Sequence, residues 1–300
     1  MAPPAFLVAA LPQIQFSYPM RHSLLFTAVL APLILSHCGN GYGRVGLRQA
    51  PKIVNVSSYD PKEKQRAGDS FSQHDVSALQ RNGAHGLIAR CGKGRLLDDK
   101  CADFLSASHR QGMKLGTYYF VLADVDPVWQ ADQYIARLQQ IAAERGLHGK
   151  KILLVGDFDT KSKASDIVRF VDRIEQRTGV RPVIYLENSD RLRHTLSNAS
   201  GAEKRCIRQC PYWIALYNPS GPFRTPKDLM EAYDVWDEWA IWQYAGVEWE
   251  RRSVSKHYHA GPWKSPQYFG TMDRPLEHNA FNGDEGDLES FWDKHSWAPL

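Results

Sequence analysis

The stretch KILLVGDFDT, Lys151 to Thr160, ends an apolar run in two aspartates, Asp157 and Asp159, separated by one phenylalanine. Successive side chains along a strand point to opposite faces, so residues two apart share one. The spacing predicts that Asp157 and Asp159 face the same way and Phe158 the other. Neighbouring carboxyls oppose each other's ionisation, which raises the pKa of one and can hold it protonated as a general acid. Cleavage of a glycosidic bond needs that equipment. Two other readings share the segment: Asp159 caps the following helix while Asp157 pairs with a lysine or arginine, or the DxD pair holds a divalent ion as in nucleotide-sugar transferases.

Such carboxylates work only on a scaffold that positions them. Ile53 to Val56, Gly86 to Cys91, Lys114 to Val121, the stretch above, Pro182 to Leu186, Tyr212 to Tyr217 and Ala240 to Tyr244 read as strands. Helices are predicted over Asp75 to Asn82 and Asp99 to Gln111. A longer one runs from Asp126-Pro127 to Gly146, where Val128, Ala131, Ile135, Leu138 and Ala142 recur at three- and four-residue spacing. Ile167, Phe170, Val171 and Ile174 mark another, closing near Gly179. A short apolar segment near Phe281 is followed by DLESFW as one closing helical turn, and Trp249 to Pro266 reads as an irregular insertion. Alternating strands and helices imply a largely parallel sheet covered on both faces. About eight strands close naturally into an α/β barrel of the TIM type, with active groups at the C-terminal strand ends.

The chain has 300 residues, 43% hydrophobic and 23% charged, enough for one large core. Its net charge of +4, with Lys and Arg spread along the chain, carries no nucleic-acid signature. From Met20, MRHSLLFTAVLAPLILSHCGN has the layout of a secretory signal, with an apolar run from Leu24 to Leu35 too short to span a bilayer comfortably. Residues 1–38 are expected to be a signal region with Met20 as the true start, 39–51 a linker, and 52–300 the barrel domain of an exported, periplasmic or extracellular protein. LSHC resembles a lipoprotein signal, which would make Cys38 a lipid anchor; His37 departs from that pattern and leaves simple cleavage open.

Of five cysteines, Cys91, Cys101, Cys206 and Cys210 would remain, an even number suited to an oxidising compartment. Disulfides Cys91–Cys101 and Cys206–Cys210 are the preferred pairing, against four buried thiols. No metal or cofactor is expected. His257 and His259 lack a third ligand, neither cysteine pair has zinc spacing, and Gly92 and Gly94 lack the P-loop pattern. With no surplus apolar face evident, a monomer is expected.

From Ile53 to Trp292 the chain resembles glycoside hydrolase family 25, the peptidoglycan muramidases. VNVSSYD (Val54 to Asp60) is similar to the opening DVSxxQ, GLIARCGKG to the second strand and its loop, QGMKLGTYYF to the segment ending GxYHF, and GDFD to DxE. TGVRPVIY, YWIALYNP, WQY (Trp242 to Tyr244) and EHNAFNG (Glu277 to Gly283) complete the series in order. The resemblance implies an eight-stranded barrel with fewer than eight helices. It also implies metal-free hydrolysis of the β-1,4 bond between N-acetylmuramic acid and N-acetylglucosamine in peptidoglycan, with retention assisted by the substrate's acetamido group. The implied catalytic set is Asp159, Asp157, Glu277 and Asn55, with Tyr118, Tyr217, Trp242 and Tyr244 as aromatic platforms for sugars.

Only Asp157 matches an acidic position of the family outright. Asn55 stands at the first-strand aspartate, Asp159 at the general-acid glutamate, Glu277 at the late aspartate, and Tyr119 at a histidine. Aspartate is one methylene shorter than glutamate, and a catalytic group misplaced by ~1 Å can cost about a hundredfold in rate. Glu187 is a further carboxylate near the expected mouth, with a salt-bridge or capping role. Arg251, Arg252 and Lys256 could wall the groove for a polyanionic glycan. Two hypotheses stand: a muramidase with Asp159 as acid and Asp157 assisting, or a wall-glycan binding module on the same barrel with little turnover. A metal-dependent glycosyltransferase is disfavoured because no nucleotide-binding pattern accompanies DFD.

Overall fold

The computed structural model describes residues 44–46, 49–58, 60, 73–217, 223, 225–249, 256–259 and 276–300. The chain divides into two units, Met1–His37 and Cys38–Leu300. The first unit, Cys38, most of the linker and most of the 249–266 insertion, including Arg251 and Arg252, lie outside the described residues.

Eight strands close a barrel: β1 (Lys52–Val56), β2 (Ala84–Lys93), β4 (Lys114–Val121), β5 (Ile152–Phe158), β6 (Val183–Leu186), β7 (Tyr212–Ala215), β8 (Ile241–Trp249) and β10 (Glu277–Phe281). Closure comes from β1, which pairs in parallel with β2 and antiparallel with β10. β10 is also antiparallel to β8, so one stave of the barrel runs against the rest. Three short strands are accessory: β3 (Leu96–Leu97) folds back on β2, β9 (Lys256–His259) extends β8 as a hairpin, and β11 (Ser296–Trp297) pairs with β5. β9 thus lies inside the segment whose sequence reads as irregular; the side chains of Lys256, His257 and His259 lie outside the described set.

The helices are α1 (Gln73–Arg81), α2 (Cys101–Arg110), α3 (Pro127–Arg145), α4 (Ala164–Thr178), α5 (Asp190–Ser197), α6 (Gly201–Arg208), α7 (Pro226–Tyr233) and α8 (Glu285–His295). Among the described residues the count exceeds the expected number because three short helices, α5 and α6 in the β6–β7 connection and α7 in the β7–β8 connection, lie where the sequence marks none. The closing turn is a full helix, α8. Local chemistry explains α3: Asp126 accepts from Trp129 N at 2.9 Å, Pro127 opens the first turn, and Gly146 ends it at φ 65°.

Two apolar layers hold the barrel. Ile53, Ile88, Leu153, Val155, Val183, Trp213 and Ile241 fill its interior, with Leu288 and Trp292 of α8 in the same cluster. The outward residues, such as Leu154, Phe158, Ile184 and Ile214, pack with the helices. A Cβ on Gly156 would come within 2.9 Å of both Phe158 and Phe170, so glycine there lets the Phe158 ring meet α4 edge to face.

The four described cysteines are free thiols, and the expected disulfides are not formed. Cys91 and Cys101 are hydrogen-bonded neighbours instead. Cys206 is held by hydrogen bonds with Arg181 and Asp172. Sequence proximity brought the partners of each pair near one another without fixing the bond.

Candidate active site

Alternation inside the barrel builds the site. On β5 the inward side chains are Leu153, Val155 and then Asp157, on β1 Ile53 and then Asn55, and on β8 Ile241 and then Gln243. Each series passes from apolar to polar toward the same end. Because β10 runs the other way, its polar group comes at its start: Glu277 lies opposite Asn55. Asn55, Asp157, Gln243 and Glu277, with Tyr118, Tyr185 and Trp213, line a cleft of about 110 Å³ at the mouth of the parallel strands.

Gln243 ties the floor together. Its Oε1 accepts from the hydroxyls of Tyr185 at 2.7 Å and Tyr217 at 2.8 Å. With its oxygen so fixed, its Nε2 donates to Asn55 Oδ1 at 3.0 Å and Glu277 Oε2 at 3.1 Å. Asn55 Oδ1 also accepts from Asn279 Nδ2 at 2.8 Å, and Asn279 Oδ1 accepts from Trp213 Nε1 at 2.8 Å. The remaining amide of Asn55 therefore donates to Glu277 Oε2. Glu277 receives two N–H donors on one oxygen, which leaves Oε1 without a donor from this network.

Burial dominates the electrostatics. It pushes Asp157 well above the usual carboxylate range, reinforced by the negative charges of Glu187 and Glu277 and opposed by Arg90 and Lys93. It lifts Glu277 from 4.5 to about 7, with Asp60 adding to the rise and the Asn55 and Gln243 hydrogen bonds working against it. Asp60 is raised too, chiefly by burial, although Ser57 N donates to it at 2.8 Å. Arg90, on the inward face of β2, bonds Asp98 at 2.9 Å, which in turn accepts from Ser58 N at 3.0 Å. Burial keeps the hydroxyls of Tyr118, Tyr185 and Tyr217 protonated. Two carboxyls that resist ionisation, in a cleft walled by aromatic rings, can donate a proton and balance a developing positive charge.

The profile of the glycosyl hydrolases family 25 matches residues 59–249. The chain belongs to glycoside hydrolase family 25. No curated protein matches the sequence. Among solved structures, the fold is similar to a bacterial lysozyme from Streptomyces coelicolor, with a TM-score of 0.53 and 16% identity over 81% of this chain and 97% of that one. The catalytic domain of endolysin ply40 from Listeria monocytogenes bacteriophage P40 gives 0.53 and 15% over 83% and 100%. The muramidase of Acremonium alcalophilum gives 0.52 and 18% over 81% and 98%.

In this family-25 barrel the cleft gathers Asn55, Tyr118, Asp157 and Glu277 from the residues expected at the site, and Tyr217 reaches it through Gln243. Asp159 is not among the lining residues. β5 ends at Phe158, so the two-residue alternation no longer governs the next position. Asp159 Oδ1 accepts from Lys161 N at 2.9 Å and its carbonyl from Ser162 N at 2.9 Å, a turn that leads into α4 without capping it. Trp242 and Tyr244 flank Gln243 and so point out of the barrel; both are buried in the layer beneath the helices. Their place corrects the expectation of a sugar platform: the inward residue of WQY is the glutamine. Tyr119 likewise points outward, donating to Gly94 O at 2.7 Å. Glu187 is exposed just past β6, near enough for its charge to act on Asp157. Sequence reasoning missed Gln243, Tyr185, Trp213, Asp60 and Arg90. Strict alternation from Ile241 would have selected Gln243, and from Val183 Tyr185.

Proposed function

We propose that this family-25 glycoside hydrolase is a peptidoglycan N-acetylmuramidase that cleaves the β-1,4 bond after N-acetylmuramic acid with retention, using the substrate's acetamido group. The observation that carries the reading is the pairing of Asp157 and Glu277, two half-buried carboxyls with raised pKa values, in one cleft at the barrel mouth. Tyr118, Tyr185 and Trp213 supply flat faces for sugar rings. Export of the chain as a monomer, through the apolar segment from Leu24 to Leu35, belongs to the same proposal, since the substrate lies outside the membrane.

One observation favours a second reading. The position of the family's acid glutamate holds the shorter Asp159, whose carboxyl accepts from Lys161 N in the turn after β5, as expected of a barrel that binds wall glycan with little turnover. Purified peptidoglycan incubated with the protein separates the two. Release of reducing sugar, with the β-anomer seen first by proton NMR, supports the retaining hydrolase; sedimentation of the protein with intact glycan supports the binding module.

A further inference from the structure

The two cleft carboxyls are not equivalent, and the hydrogen bonds divide their work. Glu277 Oε2 accepts N–H groups from both Asn55 and Gln243, amides whose orientation is fixed by Tyr185, Tyr217 and Asn279. Two converging N–H donors favour the ionised form of a carboxyl. Among the described residues, no N–H or O–H donates to the carboxyl of Asp157, which opens onto the cleft between Tyr118 and Tyr185. A carboxyl desolvated without donors tends to hold its proton.

We propose that in this chain Asp157 delivers the proton to the leaving oxygen, while Glu277, anchored by Asn55 and Gln243, is the carboxylate whose Oε1 receives the substrate's acetamido N–H. The assignment rests on the hydrolase reading above and moves the acid from the second aspartate of DFD to the first. In the first half-reaction the proton leaves Asp157 for the glycosidic oxygen, the bond from C1 to that oxygen breaks, and the acetamido oxygen bonds to C1. Glu277 balances the positive ring so formed. In the second, water adds to C1, its proton returns to Asp157, and the bond from C1 to the acetamido oxygen opens. One water is consumed per bond cleaved.

The groups facing Asp157 are Glu187 beyond β6, Glu277 on β10, Arg90 and Lys93 on β2, and the phenols of Tyr118 and Tyr185. Those facing Glu277 are Asp60 beyond β1, Arg90, and the phenols of Tyr118, Tyr185 and Tyr217. Negative neighbours outweigh the two cations at Asp157, and the amides act on Glu277 alone.

The test compares wild type, Asp157→Asn, Glu277→Gln and Asp159→Asn on peptidoglycan and on a 2,4-dinitrophenyl β-glycoside of the same disaccharide, whose leaving group needs no proton. General acid catalysis is worth about 10²- to 10⁴-fold. Asp157→Asn should lose that much in kcat/KM on peptidoglycan while staying within about tenfold of wild type in kcat/KM on the aryl glycoside, because that ratio reads the first half-reaction and not the water step that Asp157 also serves. Glu277→Gln should fall on both substrates, and Asp159→Asn on neither. Leaving-group dependence in Asp159→Asn or Glu277→Gln instead overturns the assignment and leaves the hydrolase standing; a wild type inactive on both substrates removes the hydrolase reading and the assignment with it. Carboxyl ¹³C NMR of the wild type gives a second measurement independent of turnover. Ionisation of Glu277 before Asp157 supports the division of labour, and the reverse order overturns it.

Discussion

Replacing Glu277 with glutamine should stabilise the fold while abolishing activity, and the gain should depend on pH. The unfolded chain releases the Glu277 proton near 4.5, whereas burial and Asp60 hold it in the folded state to about 7. Within that window the folded state binds more protons than the unfolded, so stability falls as pH rises and the full loss is reached above 7. Raising the carboxyl from 4.5 to about 7 makes its ionisation in place cost about 3 kcal/mol. Glutamine has nearly the same shape, and its amide oxygen can accept the same two N–H groups from Asn55 and Gln243. Urea unfolding followed by tryptophan fluorescence at pH 4 and pH 8 reads the difference. The variant should match wild type at the lower pH and exceed it by about 2 to 3 kcal/mol at the higher. A gain that is the same at both pH values, or a variant weaker than wild type at pH 8, would refute the picture of a reluctantly ionised buried carboxyl.

Other substitutions probe the rest of the cleft. Asn55→Asp puts an acceptor in place of the Nδ2 donor to Glu277, so the two carboxyls must share a proton; the acid limb of the pH–rate profile should move to higher pH, and an unmoved limb would count against an ionised Glu277. Tyr185→Phe removes one of two hydroxyl donors to Gln243 and should lower kcat about tenfold with little change in KM, because the loss falls on positioning; a change confined to KM would instead mark Tyr185 as a plain sugar contact. Trp242→Ala should cost about 3 to 5 kcal/mol in urea unfolding, since Trp242 is fully buried and donates to Leu216 O at 3.0 Å. The fraction that remains folded should bind glycan as wild type does, and selective loss of glycan affinity would return Trp242 to the groove.

The barrel was legible because its strands are short, β-branched and regularly spaced, and because α3 and α4 carry long apolar stripes between clear stops, such as Pro127 and Gly146. The short helices α5 and α6 were not, since each buries only one or two side chains: Leu192 and Leu196, and Ile207. EHNAF could be recognised as a strand segment, yet nothing in five residues states its direction, and the antiparallel course of β10 is what brings Glu277 to the mouth. Alternation along β5 and the GDFD motif both placed Asp157. Asp159 escaped that logic because its strand ends one residue earlier, and Trp242 and Tyr244 were chosen by residue type where alternation, applied to the same strand, selects Gln243.

Mass analysis of the fragments that the protein releases from purified peptidoglycan, beside an Asp157→Asn control, reads the chemistry of the Asp157–Glu277 cleft. Muropeptides ending in reducing N-acetylmuramic acid, absent from the control, are the predicted result and would establish the Asp157–Glu277 cleft as a muramidase site. Glycan left uncut by both proteins, or cut equally by both, would contradict it.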